Sequence, residues 1–354
     1  MQRRDFVAGL GVGSAVLGTA WAKPQFAWKM VTTWPKNFPA LGTGANRLAE
    51  LIGEMSGGRL VVEVHGAGEL VPAFGVFDAV ARGAAEMGHG SAFYWRDRSP
   101  AVQFFSSVPF GMTAQEVNGW IYQGGGLELW TELYGRFGLV PAPAGNSGVQ
   151  MGGWFNREIR SIQDLAGLRI RMPGLGGEVL TRAGAIAVNL PGGDLFKALE
   201  TGAIDAAEWI GPYNDLAFDL QKVARYYYYP GWQEPGTIME AIVNRTAYDA
   251  LPDDLRSILM NACKVVNLEM LAEYTARNPA ALQTLITKFG VELRRFPDPV
   301  LDALRLMTDE VLAGIAHKDE FCSRVHASYK KFQTQSRAWN AVLDATNRLS
   351  LPSA

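Results

Sequence analysis

The ten residues Phe77-Asp-Ala-Val-Ala-Arg-Gly-Ala-Ala-Glu86 return as Phe196-Lys-Ala-Leu-Glu-Thr-Gly-Ala-Ile-Asp205. Phe, Ala, an aliphatic residue, Gly-Ala and an acid recur in the same order. In each copy the apolar positions suit a helix laid on a sheet, and the Gly suits a helix end with positive φ. A chain that carries this helix-to-strand turn twice is expected to fold as two similar α/β lobes. Chance similarity between two amphipathic helix ends is the competing reading of so short a match.

The surrounding pattern fits two α/β series. Phe26 to Thr32 reads as a strand, Thr43 to Met55 as a helix, Arg59 to Val64 as a strand and Ala73 to Arg82 as a helix. A second series begins near Gln150, with a strand over Leu168 to Met172 and helices from about Gly177 and over Leu195 to Thr201. Ser161-Ile-Gln-Asp164 ahead of it fits a capping box. Beyond Leu251 long helices are expected, from about Pro252 to Phe289, kinked or divided at Asn278-Pro279, and from about Pro299 to Arg348. Val291 to Phe296 between them supplies one more strand. With 354 residues, 48% hydrophobic and 19% charged, the chain can bury sizeable cores.

Met1-Gln-Arg-Arg-Asp-Phe6 sets a twin-arginine pair before a short, glycine-rich apolar stretch that ends in Ala20-Trp21-Ala22. This is the layout of a cleavable export signal, and it is too short to span a bilayer comfortably. Residues 1–22 are therefore read as a twin-arginine signal peptide, which places the mature protein in the periplasm. An oxidising compartment would permit Cys263 and Cys322 to pair, and free buried thiols are the alternative.

The formal net charge of -2 is close to neutral and unclustered, which argues against nucleic acid as a partner. Phosphate-loop, His-Glu-x-x-His, Cys-x-x-Cys and Gly-x-Ser-x-Gly motifs do not occur. His65, His89, His317 and His326 lack metal-ligand spacing and read as surface or packed histidines. Gly174, Gly176 and Gly177 do not complete a dinucleotide fingerprint and read as a turn.

Ligands of open α/β sheets gather beyond the carboxyl ends of strands. Arg171 closes such a strand, with Leu168, Ile170 and Met172 facing the core and the arginines facing away. A guanidinium there could hold a carboxylate by two parallel hydrogen bonds. A solvated strand arginine fits the spacing equally well. Glu208-Trp209 and Gly231-Trp-Gln-Glu234 place carboxylates beside indoles, a pairing able to ligate a hard cation and cover an apolar ligand face. Tyr226 to Tyr229 reads as a packed β segment.

Together, Val31-Thr-Thr-Trp-Pro-Lys-Asn37, Arg171-Met-Pro-Gly-Leu-Gly-Gly-Glu178, Leu190-Pro-Gly-Gly193, Thr201-Gly-Ala-Ile-Asp-Ala-Ala-Glu-Trp209, Gly211-Pro-Tyr-Asn-Asp215 and Tyr226-Tyr-Tyr-Tyr-Pro-Gly-Trp232 resemble the substrate-binding subunits of TRAP transporters. The likeness runs through nearly all of the mature chain and is nearest to the branch that binds 2-oxo acids such as pyruvate, and to its lactate-binding relatives.

The resemblance implies the two-lobed periplasmic binding protein fold with long C-terminal helices. The first lobe would span 23–145, with later crossing segments from about 235–290; the second would span 146–234, and 235–354 would supply crossing segments and C-terminal helices. It implies that Arg171 grips a small carboxylate, that Trp209 and Gln150 contact it, and that Tyr94, Asn214 and Trp154 lie near it. It further implies a sodium or calcium ion held by Gln150, Glu208, the Trp209 carbonyl and Glu234. TRAP membrane subunits are the implied partners, together with a second copy of the chain through the C-terminal helix. A secreted carboxylate-active enzyme and a periplasmic sensor are the rival functions.

Overall fold

The computed structural model describes residues 24–350, and the side chains as far as residue 343. The expected signal peptide lies outside the described residues. Eleven strands are present among the described residues. They are β1 (Phe26–Thr32), β2 (Leu60–His65), β3 (Met87–Gly90), β4 (Leu139–Asn146), β5 (Gly153–Phe155) and β6 (Arg169–Arg171), followed by β7 (Ile186–Val188), β8 (Ala206–Ala207), β9 (Tyr226–Tyr229), β10 (Ile238–Asn244) and β11 (Glu292–Arg295). They form two sheets, ordered β2-β1-β3-β10-β4 and β11-β9-β5-β8-β6-β7.

Over five strands the two sheets share one pattern of neighbours and directions, and β11 adds a sixth strand to the second. In the first, β1 lies parallel to β2 and β3, and β10 runs antiparallel to β3 and β4. In the second, β6 lies parallel to β7 and β8, and β5 runs antiparallel to β8 and β9. The ten-residue repeat sits at the same place in each. The helix Val76–Ala81 turns into β3 and the helix Leu195–Glu200 turns into β8, through Gly83 at φ 73° and Gly202 at φ 68°.

The likeness reaches single hydrogen bonds. The amide of Lys29 donates to Glu86 Oε2 at 2.7 Å, and that of Arg169 donates to Asp205 Oδ2 at 3.0 Å. The acid that closes each repeat thus ties the strand end to its parallel neighbour. Arg169 completes a forked pair with Asp205, 2.6 and 3.0 Å, and stays exposed.

The elements form where the sequence places them, with three differences. The helix expected from about Gly177 begins at Gly174. Asp253–Phe289 runs undivided through Pro279, packed against β4 and the helix Pro212–Ala217, while Asn278 Oδ1 accepts from the Tyr213 amide at 3.1 Å. The last helix is two, Asp298–Ala316 and Glu320–Ser350, because Asp319 Oδ1 accepts from the Cys322 amide at 2.7 Å and starts a new helix. The Ser161–Asp164 capping box is present.

Cys263 and Cys322 are free, buried in separate core clusters. Burial pushes their thiols up to about 12 and about 11. No described helix is long and apolar enough to cross a membrane.

Candidate functional site

Where the carboxyl ends of the two sheets face each other, Trp34, Ser91, Phe93, Tyr94 and Met239 from the first sheet's side meet Gln150, Arg171, Glu208, Trp209, Ile210 and Glu234. The space among them is about 10 Å3, room for about one water. A wider groove of about 770 Å3, lined by Arg96, Gln103, Met172 and Glu178 among others, touches none of Gln150, Arg171, Glu208 or Glu234.

Arg171 does not face solvent as its strand pattern suggests; it is 1% exposed. Its Nε donates to the Leu190 carbonyl at 3.1 Å. Nη1 donates to the Glu208 carbonyl at 2.6 Å and to Glu208 Oε2 at 3.2 Å, and Nη2 reaches Tyr94 Oη at 3.3 Å. Its guanidinium carbon lies 5.0 Å from the Trp209 ring centroid. The core-alternation pattern holds for β6, but the end of the strand is covered by residues from elsewhere in sequence, so the polar face there is also buried.

Two oxygens of the cavity are left without donors. Gln150 Oε1 and Glu208 Oε1 are buried without a hydrogen-bond partner, although Gln150 Nε2 donates to Ser147 Oγ at 3.1 Å. Glu234 receives one bond, from Thr237 Oγ1 at 2.7 Å, on Oε2. Burial, and then the nearby Glu234, hold the Glu208 carboxyl well above the usual carboxylate range, and burial pushes Glu234 up to about 7. Orphaned buried acceptors are costly unless something else satisfies them. Two carboxylates and an amide oxygen are oxygen donors of the kind a hard cation takes, so these residues fit sodium or calcium.

The local fold that brings Gln150 and Glu234 together depends on one small residue. The Gln150 amide donates to the Glu234 carbonyl at 3.1 Å, and a Cβ on Gly231 would collide with the Gln150 carbonyl. The Pro-Gly-Trp stretch therefore allows the two segments to close on each other.

Two residues expected near the ligand lie elsewhere. Trp154 is not a wall of the cavity: it stacks on Tyr227 with centroids 4.0 Å apart and donates to Asp215 Oδ2 at 2.9 Å. Asn214 spends its amide on structure, donating to the Pro39 carbonyl at 2.9 Å and accepting from Tyr274 Oη at 2.6 Å. Both are drawn off by partners distant in sequence. Tyr94 lies at the cavity, and burial pushes its hydroxyl up to about 12, so it stays protonated. Sequence reasoning passed over Trp34, Phe93 and Met239 as lining residues. For Trp34 the signal was its place just past the first strand of the first sheet.

Two α/β halves meeting over a small, polar, buried cavity define a ligand-trapping binding protein. The chain belongs to the bacterial extracellular solute-binding protein family 7 (DctP), whose family model matches residues 30–319.

The monocarboxylate 2-oxoacid-binding periplasmic protein of Nostoc sp. is 44% identical over 321 residues, 90% of this chain and 87% of its own length. A TRAP periplasmic solute-binding protein from Pseudoalteromonas atlantica, solved with bound sodium and pyruvate, is 43% identical with a TM-score of 0.90, covering 92% of this chain and 99% of that one. A TRAP transporter solute-binding protein from Bordetella bronchiseptica, a mixed-occupancy dimer with calcium and picolinate in its occupied site, is 37% identical with a TM-score of 0.90, covering 93% and 98%.

Proposed function

We propose that this chain is the periplasmic solute-binding subunit of a TRAP transporter, which captures a small 2-oxo or 2-hydroxy monocarboxylate, pyruvate-like or lactate-like, together with one sodium or calcium ion. The observation that carries the reading is the pairing of a buried arginine with buried, unpartnered oxygens of Gln150 and Glu208 in one cavity. The relatives' pyruvate and picolinate each set a second donor atom beside a carboxylate, the shape that chelates a hard cation.

Arg171 is the one cationic side chain lining the cavity among the described residues, which suits a single carboxylate. Its guanidinium is held from behind by the Leu190 and Glu208 carbonyls, so its remaining donors are fixed in direction. Tyr94 accepts from Arg171 and keeps its own proton to donate. Gln150, Glu208, the Trp209 carbonyl and Glu234 would hold the cation, which supplies positive charge to the acid's oxygens and offsets the two glutamates. Trp34, Phe93 and Met239 present apolar surface to the rest of the acid, which favours a short side chain.

Because the space is so small, an acid enters only as Arg171 parts from Glu208 Oε2 or the halves separate. Ligand bridging both halves then favours their closed arrangement by its differential affinity. The first lobe would comprise 23–145 with later crossing segments from about 235–290, and the second 146–234, with 235–354 as crossing segments and C-terminal helices.

Export by the twin-arginine route through residues 1–22 and delivery to TRAP membrane subunits complete the reading. A homodimer through the helix Glu320–Ser350 is supported by its exposed Trp339, Val342 and Leu343. The family is one of solute binders, and the site lacks a paired nucleophile and base, which favours capture over turnover.

A thermal-shift screen of short-chain acids, with and without chelator, tests the reading. Pyruvate or lactate should raise the melting midpoint in a cation-dependent way. Conversion of either acid to product on incubation would instead assign an enzyme.

A further inference from the structure

A second pocket, of about 140 Å3, lies away from the cavity, where the helices Asp298–Ala316 and Glu320–Ser350 meet the turn Val108–Phe110. Arg305, Lys330 and Arg337 line it, against a single carboxylate, Asp309. Among the described residues none of the three cations has a salt-bridge partner; Arg337 donates to the Phe110 carbonyl at 2.6 Å. Gln333, 4% exposed, also lines the pocket and brings a neutral amide to it.

Phe110 closes one side at φ 50°, a left-handed conformation that a bulky residue rarely keeps unless its surroundings hold it. Here they do. Its amide donates to the Trp232 carbonyl at 2.7 Å, its ring stacks on Trp232 at 5.5 Å, and the Arg305 guanidinium carbon sits 4.2 Å from the ring centroid on the pocket side.

We infer that this pocket is a binding site for a small inorganic oxyanion, phosphate or sulfate. Cations from two helices converge on it with one opposing carboxylate, guanidinium and ammonium groups suit tetrahedral oxyanions, and the neutral Gln333 amide supplies a further donor. Its small volume selects a free ion over a lipid headgroup.

Calorimetric titration of inorganic phosphate and of sulfate into the full chain, saturated with pyruvate and sodium and with chloride matching the ionic strength, tests this. One binding event is expected, weakened at least tenfold in Arg305→Gln/Lys330→Gln, and also in Lys330→Gln alone should the double variant not fold. Arg171→Ala, titrated without pyruvate, should retain it. Absence of binding, unchanged affinity in the variants, loss in Arg171→Ala, or tighter association with phosphatidylglycerol vesicles than with free phosphate would each overturn the assignment.

Discussion

His89 and Glu208 stand at the same place in the two halves, each the twelfth residue after the phenylalanine of its repeat, and both are fully buried. Their surroundings differ in kind. His89 has both ring nitrogens engaged: the Trp34 indole donates to Nδ1 at 2.7 Å, and Nε2 lies 3.0 Å from the Ala144 carbonyl. Glu208 keeps Oε1 without a partner.

The strand beside each differs likewise. Val31 pairs with Gly88, whereas Arg171 pairs with Ala207 at the equivalent register. One half has filled this strand end with a neutral, saturated group; the other has placed an arginine and an under-satisfied carboxylate there. Burial of a polar group at this strand end is therefore common to both halves, and the two differ in whether that group is satisfied.

Other buried carboxylates follow the saturated pattern. Glu240 accepts from the Trp95 indole and, at 2.8 Å, from Tyr134 Oη. Asp215 is held by Trp154, Tyr227 and two backbone amides.

Breaking the charged end should have the largest effect. Arg171→Ala is expected to weaken pyruvate binding at least about 100-fold in calorimetry, because it leaves the acid's carboxylate and Glu208 unpaired in a desolvated site. Glu208→Gln should weaken binding about tenfold or more and reduce its dependence on the cation, read as a flatter plot of affinity against sodium or calcium concentration.

At the neutral end the loss should fall on stability. His89→Leu orphans the Trp34 indole and the Ala144 carbonyl, a cost of about 1–3 kcal/mol for each buried group in chemical unfolding, with cation dependence unchanged. The same variant has a pH signature. Burial pushes His89 down to about 4 from an ordinary 6.5, so between these values the unfolded chain binds more protons than the folded one. Its contribution is complete above about 6.5 and is lost as pH falls toward 4, about 3 kcal/mol at most. Melting curves across pH 4–7 should therefore be steeper for the parent protein than for His89→Leu; parallel curves would refute it. The raised carboxylates act in the opposite sense but are common to both proteins.

The smallest effect is expected at Trp154→Phe. The change removes one hydrogen bond to Asp215 and should move the melting midpoint while altering pyruvate affinity less than about threefold.

Much of this contrast was legible in the sequence. The repeat announced the shared topology, since helix-ending glycines and apolar spacing are local properties. Arg171, Glu208 and Glu234, which the structure brings to one cavity, stand out in the sequence because strand-end arginines and carboxylates beside tryptophan carry chemistry that few structural roles need. Burial of Arg171 was not, because the residues that cover it, Tyr94 and Leu190, are remote in sequence. Trp154 and Asn214 were misplaced for the same reason, their partners being chosen by tertiary packing. The break between Ala316 and Glu320 was missed because a lone Asp319 cap is a weak signal inside a continuing apolar pattern.

In the proposed function, acid and cation are captured as one unit at the end of β6 and just beyond β8. Titrating pyruvate into protein stripped of calcium and sodium, with choline as the supporting cation, and then restoring each ion tests it most directly. One site per chain is expected, gaining at least about tenfold in affinity when sodium or calcium is returned. Full affinity in choline alone would contradict it.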